Sequence, residues 1–161
     1  MRKLKLYLDT SVISHLDHPD TPDRMADTLL LWEAIKQGKY EAVISETTLD
    51  ELGGCPEEKF EQLTGYLNDI SYSVAADDLM TIAIAEKIID FGILRQKSFD
   101  DCRHIAAAIV SGCDAIVSWN FKHIANPKTA VGVKAVTATQ GYPDLMIYTP
   151  TFLRGDDSDD S

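Results

Sequence analysis

The sequence predicts an α/β domain with a parallel central sheet. Short apolar segments typical of strands alternate with longer segments whose apolar residues recur at helical spacing. The first strand, residues 3–8, alternates leucine with lysine or tyrosine, and residues 40–45 and 115–118 contain further short apolar runs. With 161 residues, no internal repeat and no linker-like segment, the chain fits one domain with a substantial hydrophobic core.

The helices are predicted from their start and stop signals as well as from their periodicity. A short helix at 11–16 follows the first strand; Thr21 and Pro22 then provide an N-cap and a first-turn proline, and Gly38 ends that helix. The remaining elements are expected in this order: a strand at 40–45, helices at 45–52 and 56–67, a strand at 72–75, helices at 76–91 and 99–111, a strand at 115–118, a helix at 128–139, a strand at 145–148 and a closing turn at 150–153.

The chain is strongly acidic, with 15 basic and 26 acidic residues and a net charge of −11. This charge repels polyanions at long range, so we do not expect a sequence-independent nucleic-acid binder. Nucleic-acid chemistry would require a local basic patch, a metal ion or a basic partner. Part of the acidity lies in residues 155–161, which we expect to form a disordered tail after a domain that spans residues 1–154.

Cysteine usage and hydropathy favour a cytoplasmic protein without a membrane partner. The three cysteines, Cys55, Cys102 and Cys113, are odd in number and lack the C-x-x-C spacing of a zinc or redox site. Free thiols in a reducing cytosol are therefore expected. The longest purely apolar run, residues 105–110, is far too short to cross a membrane.

Three acidic residues fall at ends of elements that a parallel sheet can bring together. Asp9 directly follows the first strand, Glu51 lies on the helix after the second, and Asp101 stands in the first turn of an alanine-rich helix. Clustered carboxylates repel one another, and a hard cation such as Mg²⁺ or Mn²⁺ relieves that repulsion because it prefers oxygen ligands. Such an ion polarises a phosphoryl oxygen and activates water, which is the chemistry of phosphodiester hydrolysis.

Each of these acids also has a purely structural explanation. Asp9 is a good N-cap for the helix that follows it, and Glu51 can be a solvated helix residue. Asp101 is favourable against the dipole of its helix, and Asp100 can serve as the N-cap there. Taken one at a time these explanations are preferred, so the functional prediction depends on the order and spacing of the three acids together.

Four segments combine the acids with particular apolar neighbours. They are residues 6–13 (LYLDTSVI), 43–52 (VISETTLDEL), 101–108 (DCRHIAAA) and 115–124 (AIVSWNFKHI). In this order they resemble the motifs of PIN-domain proteins, a metal-dependent nuclease fold that includes VapC-type toxins. The resemblance covers residues 3–153, which is essentially the whole domain.

This resemblance implies a three-layer α/β/α sandwich around a mainly parallel sheet, PIN-like in topology. It implies a ribonuclease that depends on Mg²⁺ or Mn²⁺ and hydrolyses phosphodiester bonds in RNA. The biological role that it suggests is the toxin of a type II toxin–antitoxin pair. The partners that it suggests are an RNA substrate, an antitoxin protein and a second copy of the chain in a homodimer.

Carried onto this sequence, the resemblance implies that Asp9 and Asp101 hold the principal metal ion, directly or through water. Glu51 would complete the site and orient the attacking water. Many members have an aspartate in the fourth motif where this chain has Asn120, which offers a carbonyl oxygen but no charge. We expect Asn120 and Ser118 to position water or a phosphate oxygen, and we expect the missing carboxylate to weaken a second metal site.

Other polar residues are secondary candidates for the site. Ser11 can donate a hydrogen bond to a phosphate or to Asp9, or it can act only as a capping residue. His104 is expected to hydrogen-bond in the core rather than bind metal, and Trp32 and the other aromatic residues are expected to pack in the core. The basic candidates for contact with the RNA backbone are Arg95, Lys97, Arg103, Lys122 and His123.

Two competing functions stay open from the sequence. A PIN-like module that has lost most of its catalytic activity and acts by binding a partner protein is favoured by Asn120 and by the acidic charge. The three acids oppose that alternative. A phosphatase with an aspartyl nucleophile would use Asp9, but such enzymes normally have a second aspartate two residues later, where this chain has Ser11.

Overall fold

The structure is a computed structural model that describes residues 2–153. A five-stranded sheet runs through this part of the chain. The strand order is β3-β2-β1-β4-β5, and every neighbouring pair is parallel. The predicted parallel sheet is therefore confirmed, whereas the predicted tail at 155–161 lies outside the described residues. The strands are β1 (Leu4–Leu8), β2 (Tyr40–Ser45), β3 (Tyr72–Ala75), β4 (Ala115–Val117) and β5 (Met146–Tyr148).

Helices cover both faces of the sheet. The first four helices and the last pack with one hydrophobic core, and the fifth, sixth and seventh pack with a second core on the opposite face. This arrangement is the predicted three-layer α/β/α sandwich. The helices are α1 (Thr10–Ser14), α2 (Pro22–Lys36), α3 (Glu46–Gly53), α4 (Glu57–Leu67), α5 (Leu79–Asp90), α6 (Phe99–Val110), α7 (Pro127–Gln140) and α8 (Pro150–Leu153), with 3-10 turns at His15–Asp17 and Gln96–Ser98.

The central strand β1 supplies side chains to both cores. Leu6 and Leu8 face one core and Tyr7 faces the other, and all three are fully buried. Alternate residues of a strand point to opposite faces, so a strand at the centre of a covered sheet buries both sets. This position makes β1 the support on which the polar groups at its carboxyl end are held.

Most predicted bounds lie within two residues of the observed ones, and two predicted elements differ more clearly, in their start or in their type. The helix expected at 76–91 begins only at Leu79, because Asp78 is its N-cap and accepts a hydrogen bond from Thr81 N at 3.0 Å. The segment expected to form a closing turn is the short helix α8. Among residues 2–153, no helix is long and apolar enough to cross a membrane.

The strand order brings distant parts of the chain to one edge of the sheet. From β1 the chain proceeds to β2 and β3 on one side, and then crosses to β4 on the other side of β1. The order of the strands therefore reverses between β1 and β4, and open α/β sheets bind ligands beyond the carboxyl ends of strands at such a point. Asp9 and Ser118 directly follow these two strands.

Candidate active site

The carboxylate of Asp9 is held by two hydroxyl groups at the end of β1. Its backbone N–H donates to Val117 O at 3.1 Å, and the residue is 4% exposed. Ser11 Oγ and Ser118 Oγ each donate to Oδ2 of Asp9 at 2.7 Å. Asp9 occupies the N-cap position of α1, but its side chain makes no capping hydrogen bond. Helix capping by this side chain is therefore not the reason for an aspartate here.

The carboxylate of Asp101 lies on α6 and is connected to Asp9 through hydrogen bonds. Asn120 Nδ2 donates to Oδ1 of Asp101 at 3.3 Å, and His123 Nδ1 lies 2.7 Å from Oδ2. The backbone N–H of Asn120 donates to Ser118 Oγ at 2.9 Å, and that same hydroxyl donates to Asp9. One network of side chains from α1, α6 and the segment after β4 thus positions both carboxylates.

The carboxylate of Glu51 faces a buried histidine. Thr10 Oγ1 donates to Oε1 of Glu51 at 2.5 Å, and His104 Nε2 lies 2.7 Å from the same oxygen. The other ring nitrogen, Nδ1 of His104, hydrogen-bonds with Tyr7 Oη at 2.6 Å, and that phenol hydrogen-bonds with Ser45 Oγ at 2.7 Å. His104 is therefore a buried hydrogen-bonding residue, as expected, and it connects the second acid to the sheet.

The three acids and His104 are close enough to alter one another's protonation. Burial raises the pKa of Asp101 above its ordinary value, and the negative charge of Asp9 raises it further. Burial opposes a charge on His104, yet the hydrogen bond with Glu51, together with the charge of Asp9, holds the pKa of the imidazole above its ordinary value. Partial burial raises the pKa of Glu51, but the interaction with His104 outweighs it, and the pKa of that carboxyl lies below its ordinary value.

No family model matches the sequence, and no curated protein matches it. Among solved structures, the chain is similar to a chain in the crystal structure of VapBC2 from Rickettsia felis bound to a DNA fragment from their promoter. The TM-score is 0.54 at 14% sequence identity, over 91% of this chain and 98% of that chain. The likeness of the backbone agrees with the four motifs and with the observed layers.

The chain has a PIN-like fold. The fold predicted from the resemblance is confirmed, and at this identity the likeness establishes the fold alone. In this PIN-like fold the carboxyl ends of β1, β2 and β4 lie side by side, which explains how the four motifs meet. The roles of the individual residues stay predictions.

The donor types of the site fit a hard divalent cation. Across residues 2–153, no group of three or more histidine, cysteine, aspartate or glutamate side chains is arranged as a metal site. Mg²⁺, however, commonly uses only one or two carboxylates, with water and substrate phosphates as the other ligands. Asp9 and Asp101 are two carboxylates close enough for the charge of Asp9 to raise the pKa of Asp101. Glu51 instead directs Oε1 at His104 and Thr10.

The predicted basic residues have different surroundings in the PIN-like fold. Arg103 forms ion pairs with Asp77 and with Asp100. Asp100 does not cap α6, because the N-cap of that helix is Ser98. His123 contacts Asp101, as described above. Arg95, Lys97 and Lys122 are exposed, and within the described residues no hydrogen bond or ion pair joins them to the acids.

Sequence reasoning missed Tyr7 and Thr10 as parts of the site. The alternation along β1 groups Tyr7 with the lysines of the strand, but the phenol is buried and contacts His104. The available signal was the position of the strand, since a strand at the centre of a parallel sheet is buried on both faces. The expectation that the other aromatic residues pack in the core is wrong for five exposed side chains: Phe60, Tyr72, Phe91, Phe121 and Phe152.

Proposed function

We propose that the protein is a ribonuclease that hydrolyses phosphodiester bonds in RNA with the help of Mg²⁺ or Mn²⁺. The observation that carries this proposal is the pair formed by Asp9 and Asp101 at the reversal of strand order. Both carboxylates are oriented by neighbouring side chains, and the charge of Asp9 disfavours ionisation of Asp101. Two like charges held together in this way favour a cation between them and the phosphate of a substrate.

The proposed mechanism assigns a separate task to each group. Asp9 and Asp101 hold the ion, which when bound supplies charge stabilisation for the phosphate and lowers the pKa of a water molecule. Ser11 and Ser118 fix the orientation of Asp9, because both hydroxyls donate to its Oδ2. Glu51 orients the attacking water.

The remaining polar groups of the site bind the substrate. Asn120 contacts a phosphate oxygen or a water through its amide, in addition to its bond with Asp101. Ser11 Oγ, which donates to Asp9 in the free protein, would donate to a phosphate oxygen instead when substrate is bound. Arg95, Lys97 and Lys122, which are exposed, contact the RNA backbone at its more distant phosphates.

We also propose that the protein is a toxin of a type II toxin–antitoxin pair, acting in the cytoplasm as a homodimer. The support is the PIN-like fold together with the structural likeness to a chain of the VapBC2 complex. A basic antitoxin segment would complement the net charge of −11.

The second candidate function is a PIN-like binding module with little catalytic activity. One observation favours it: Asn120 brings an amide where a carboxylate would add charge, and that amide is already bonded to Asp101. In that case the acids serve to orient side chains at a protein interface. Metal binding and RNA cleavage would then both be absent.

The test is cleavage of labelled single-stranded RNA by the purified chain with Mn²⁺, Mg²⁺ or EDTA. Wild type should cleave only with metal, and Asp9→Asn and Asp101→Asn should each reduce the rate by at least about 100-fold, the scale of a lost charge-stabilising group. Asp69→Asn, an exposed aspartate at the opposite end of β2 and β3, is the matched control and should leave the rate unchanged. No cleavage, together with no Mn²⁺ binding by calorimetry, would favour the binding module.

A further inference from the structure

Beside the acids lies a group of aromatic and basic side chains, which we call the aromatic–basic cluster: His15, His18, Arg24, Trp119 and Phe121. The guanidinium carbon of Arg24 lies 5.4 Å from the ring centre of Trp119 and 5.1 Å from that of Phe121. The two imidazoles stack with centres 4.6 Å apart, and His15 contacts Trp119 at 5.7 Å between ring centres. Cation–π contacts within about 6 Å are attractive, so the geometry is a stable one.

The indole of Trp119 is locked in place by α2. Its Nε1–H donates to Thr28 Oγ1 at 2.9 Å, and the ring is 6% exposed. Thr28 and Arg24 are four residues apart and therefore lie on one face of α2. The same helix face thus fixes the indole and lays a planar guanidinium over it. Phe121 packs against the edge of the indole, with centres 6.2 Å apart, and keeps a large exposed surface.

Arg24 carries the formal positive charge of the cluster in an acidic protein. Partial burial lowers the pKa of His15, and the neighbouring His18, Arg24 and Lys59 lower it further. Lys59 has an acidic partner, Asp17, at 3.6 Å. Among residues 2–153, by contrast, Arg24 forms no ion pair and contacts aromatic rings instead. The charge of Arg24 is therefore available to an anionic or π-rich ligand.

Hydrogen bonds through Ser11 connect the cluster to Asp9. The backbone N–H of Trp119 donates to Ser11 Oγ at 2.9 Å, and Ser11 Oγ donates to Asp9. His15 Nδ1 hydrogen-bonds with Ser11 O at 2.7 Å. Phe121 directly follows Asn120, which contacts Asp101. Phe121 is therefore adjacent in the chain to a residue that contacts the acids.

We propose that the aromatic–basic cluster binds a nucleobase of single-stranded RNA next to the phosphate at the acids. The base stacks on the exposed surface of Phe121 and on the guanidinium plane of Arg24, while His18 and Arg24 attract the adjoining phosphate. Aromatic rings and arginine planes are the groups on which proteins stack unpaired bases. This proposal rests on the proposed nuclease function for its substrate, and it adds the site that holds the base.

Binding can be tested apart from cleavage by working in EDTA. A labelled five-nucleotide RNA and a ribose-phosphate chain of equal length without bases carry the same charge, so their difference in Kd measures base binding. By fluorescence anisotropy, wild type should bind the RNA about tenfold more tightly than the baseless chain, as expected for one stacked base. Phe121→Ala should abolish that difference and Phe121→Tyr should retain it. Arg24→Lys, which keeps the charge but loses the plane, should reduce it.

Phe91→Ala is the matched control, because Phe91 is 43% exposed and directly follows α5, which packs in the other layer of the sandwich. Equal affinity of wild type for the two ligands would overturn the proposal, as would an equal loss in Phe91→Ala. Cleavage assays with metal separate this proposal from the nuclease function. Cleavage with an unchanged KM in Phe121→Ala overturns base binding and leaves the nuclease standing. Base-dependent binding that Phe121→Ala abolishes, in a protein that cleaves nothing, supports the base site and overturns the nuclease.

Discussion

Replacing Tyr7 by phenylalanine removes a single buried hydroxyl and should lower the free energy of unfolding by about 2–3 kcal/mol. The hydroxyl hydrogen-bonds with His104 Nδ1 at 2.6 Å and with Ser45 Oγ at 2.7 Å, and the side chain is fully buried. Ser45 retains a partner after the change, because its hydroxyl also accepts from Thr48 N in the capping box of α3. His104 Nδ1 retains none within the described residues, so the larger part of the cost is an unsatisfied buried nitrogen.

The measurement is urea denaturation followed by circular dichroism, with Tyr72→Phe as the matched control. Tyr72 is also on a strand but is 37% exposed, so its change should stay within about 0.5 kcal/mol of wild type. For a chain of this size, Tyr7→Phe should lower Tm by roughly 4–12 °C. A change below about 0.5 kcal/mol for Tyr7→Phe, with an unaltered m-value, would refute the argument that the phenol satisfies the histidine.

Three further changes have defined outcomes. Gly132→Ala should destabilise the protein by about 1–3 kcal/mol, because a β-carbon there would clash with the buried side chain of Ile93. Gly65→Ala, whose β-carbon would meet open space, should stabilise α4 by about 0.5–1 kcal/mol, and urea titrations compare the two variants. A hydrogen bond from Arg2 holds the pKa of Asp114 below its ordinary value. The ionised Asp114 therefore stabilises the folded protein above about pH 4, and this stabilisation is lost as the pH falls. In a plot of Tm against pH, Asp114→Asn should show a smaller fall in Tm at acid pH than wild type. Asn120→Asp should lower Tm in EDTA, because it adds a carboxylate beside existing carboxylates. Mn²⁺ should then raise the Tm of this variant more than it raises the Tm of wild type. An equal rise in both proteins, measured by scanning fluorimetry, would contradict a metal at these acids.

The fold was predictable because its signals are local. Period-2 alternation located β1, and the proline and glycine punctuation located α2 within a few residues of its observed bounds. The start of α5 was misplaced because apolar residues at helical spacing do not identify the N-cap. The side chain of Asp78 decides that start by bonding Thr81 N, and a run of acidic residues such as Asp77 and Asp78 leaves several equivalent candidates in the sequence.

The surroundings of the site were less predictable because they depend on pairs of residues far apart in the chain. Asp9, Glu51 and Asp101 were selected from motifs, but the insertion of His104 between Glu51 and Tyr7 requires three elements to be packed first. The exposure of Phe121 likewise depends on what α2 covers, which no local pattern records. Arg24 was not a candidate at all, since a lone arginine on a helix is usually only solvated.

The crossing of the chain from β3 to β4 has a consequence for protein synthesis. Asp9 is synthesised 109 residues before Ser118, whose hydroxyl group orients it. In a growing chain, the Ser118 hydroxyl therefore cannot contact Asp9 until β4 has emerged from the ribosome and paired with β1. Contacts so distant in sequence also close late in folding. Truncated products that end before β4 therefore lack the hydroxyl group that orients Asp9.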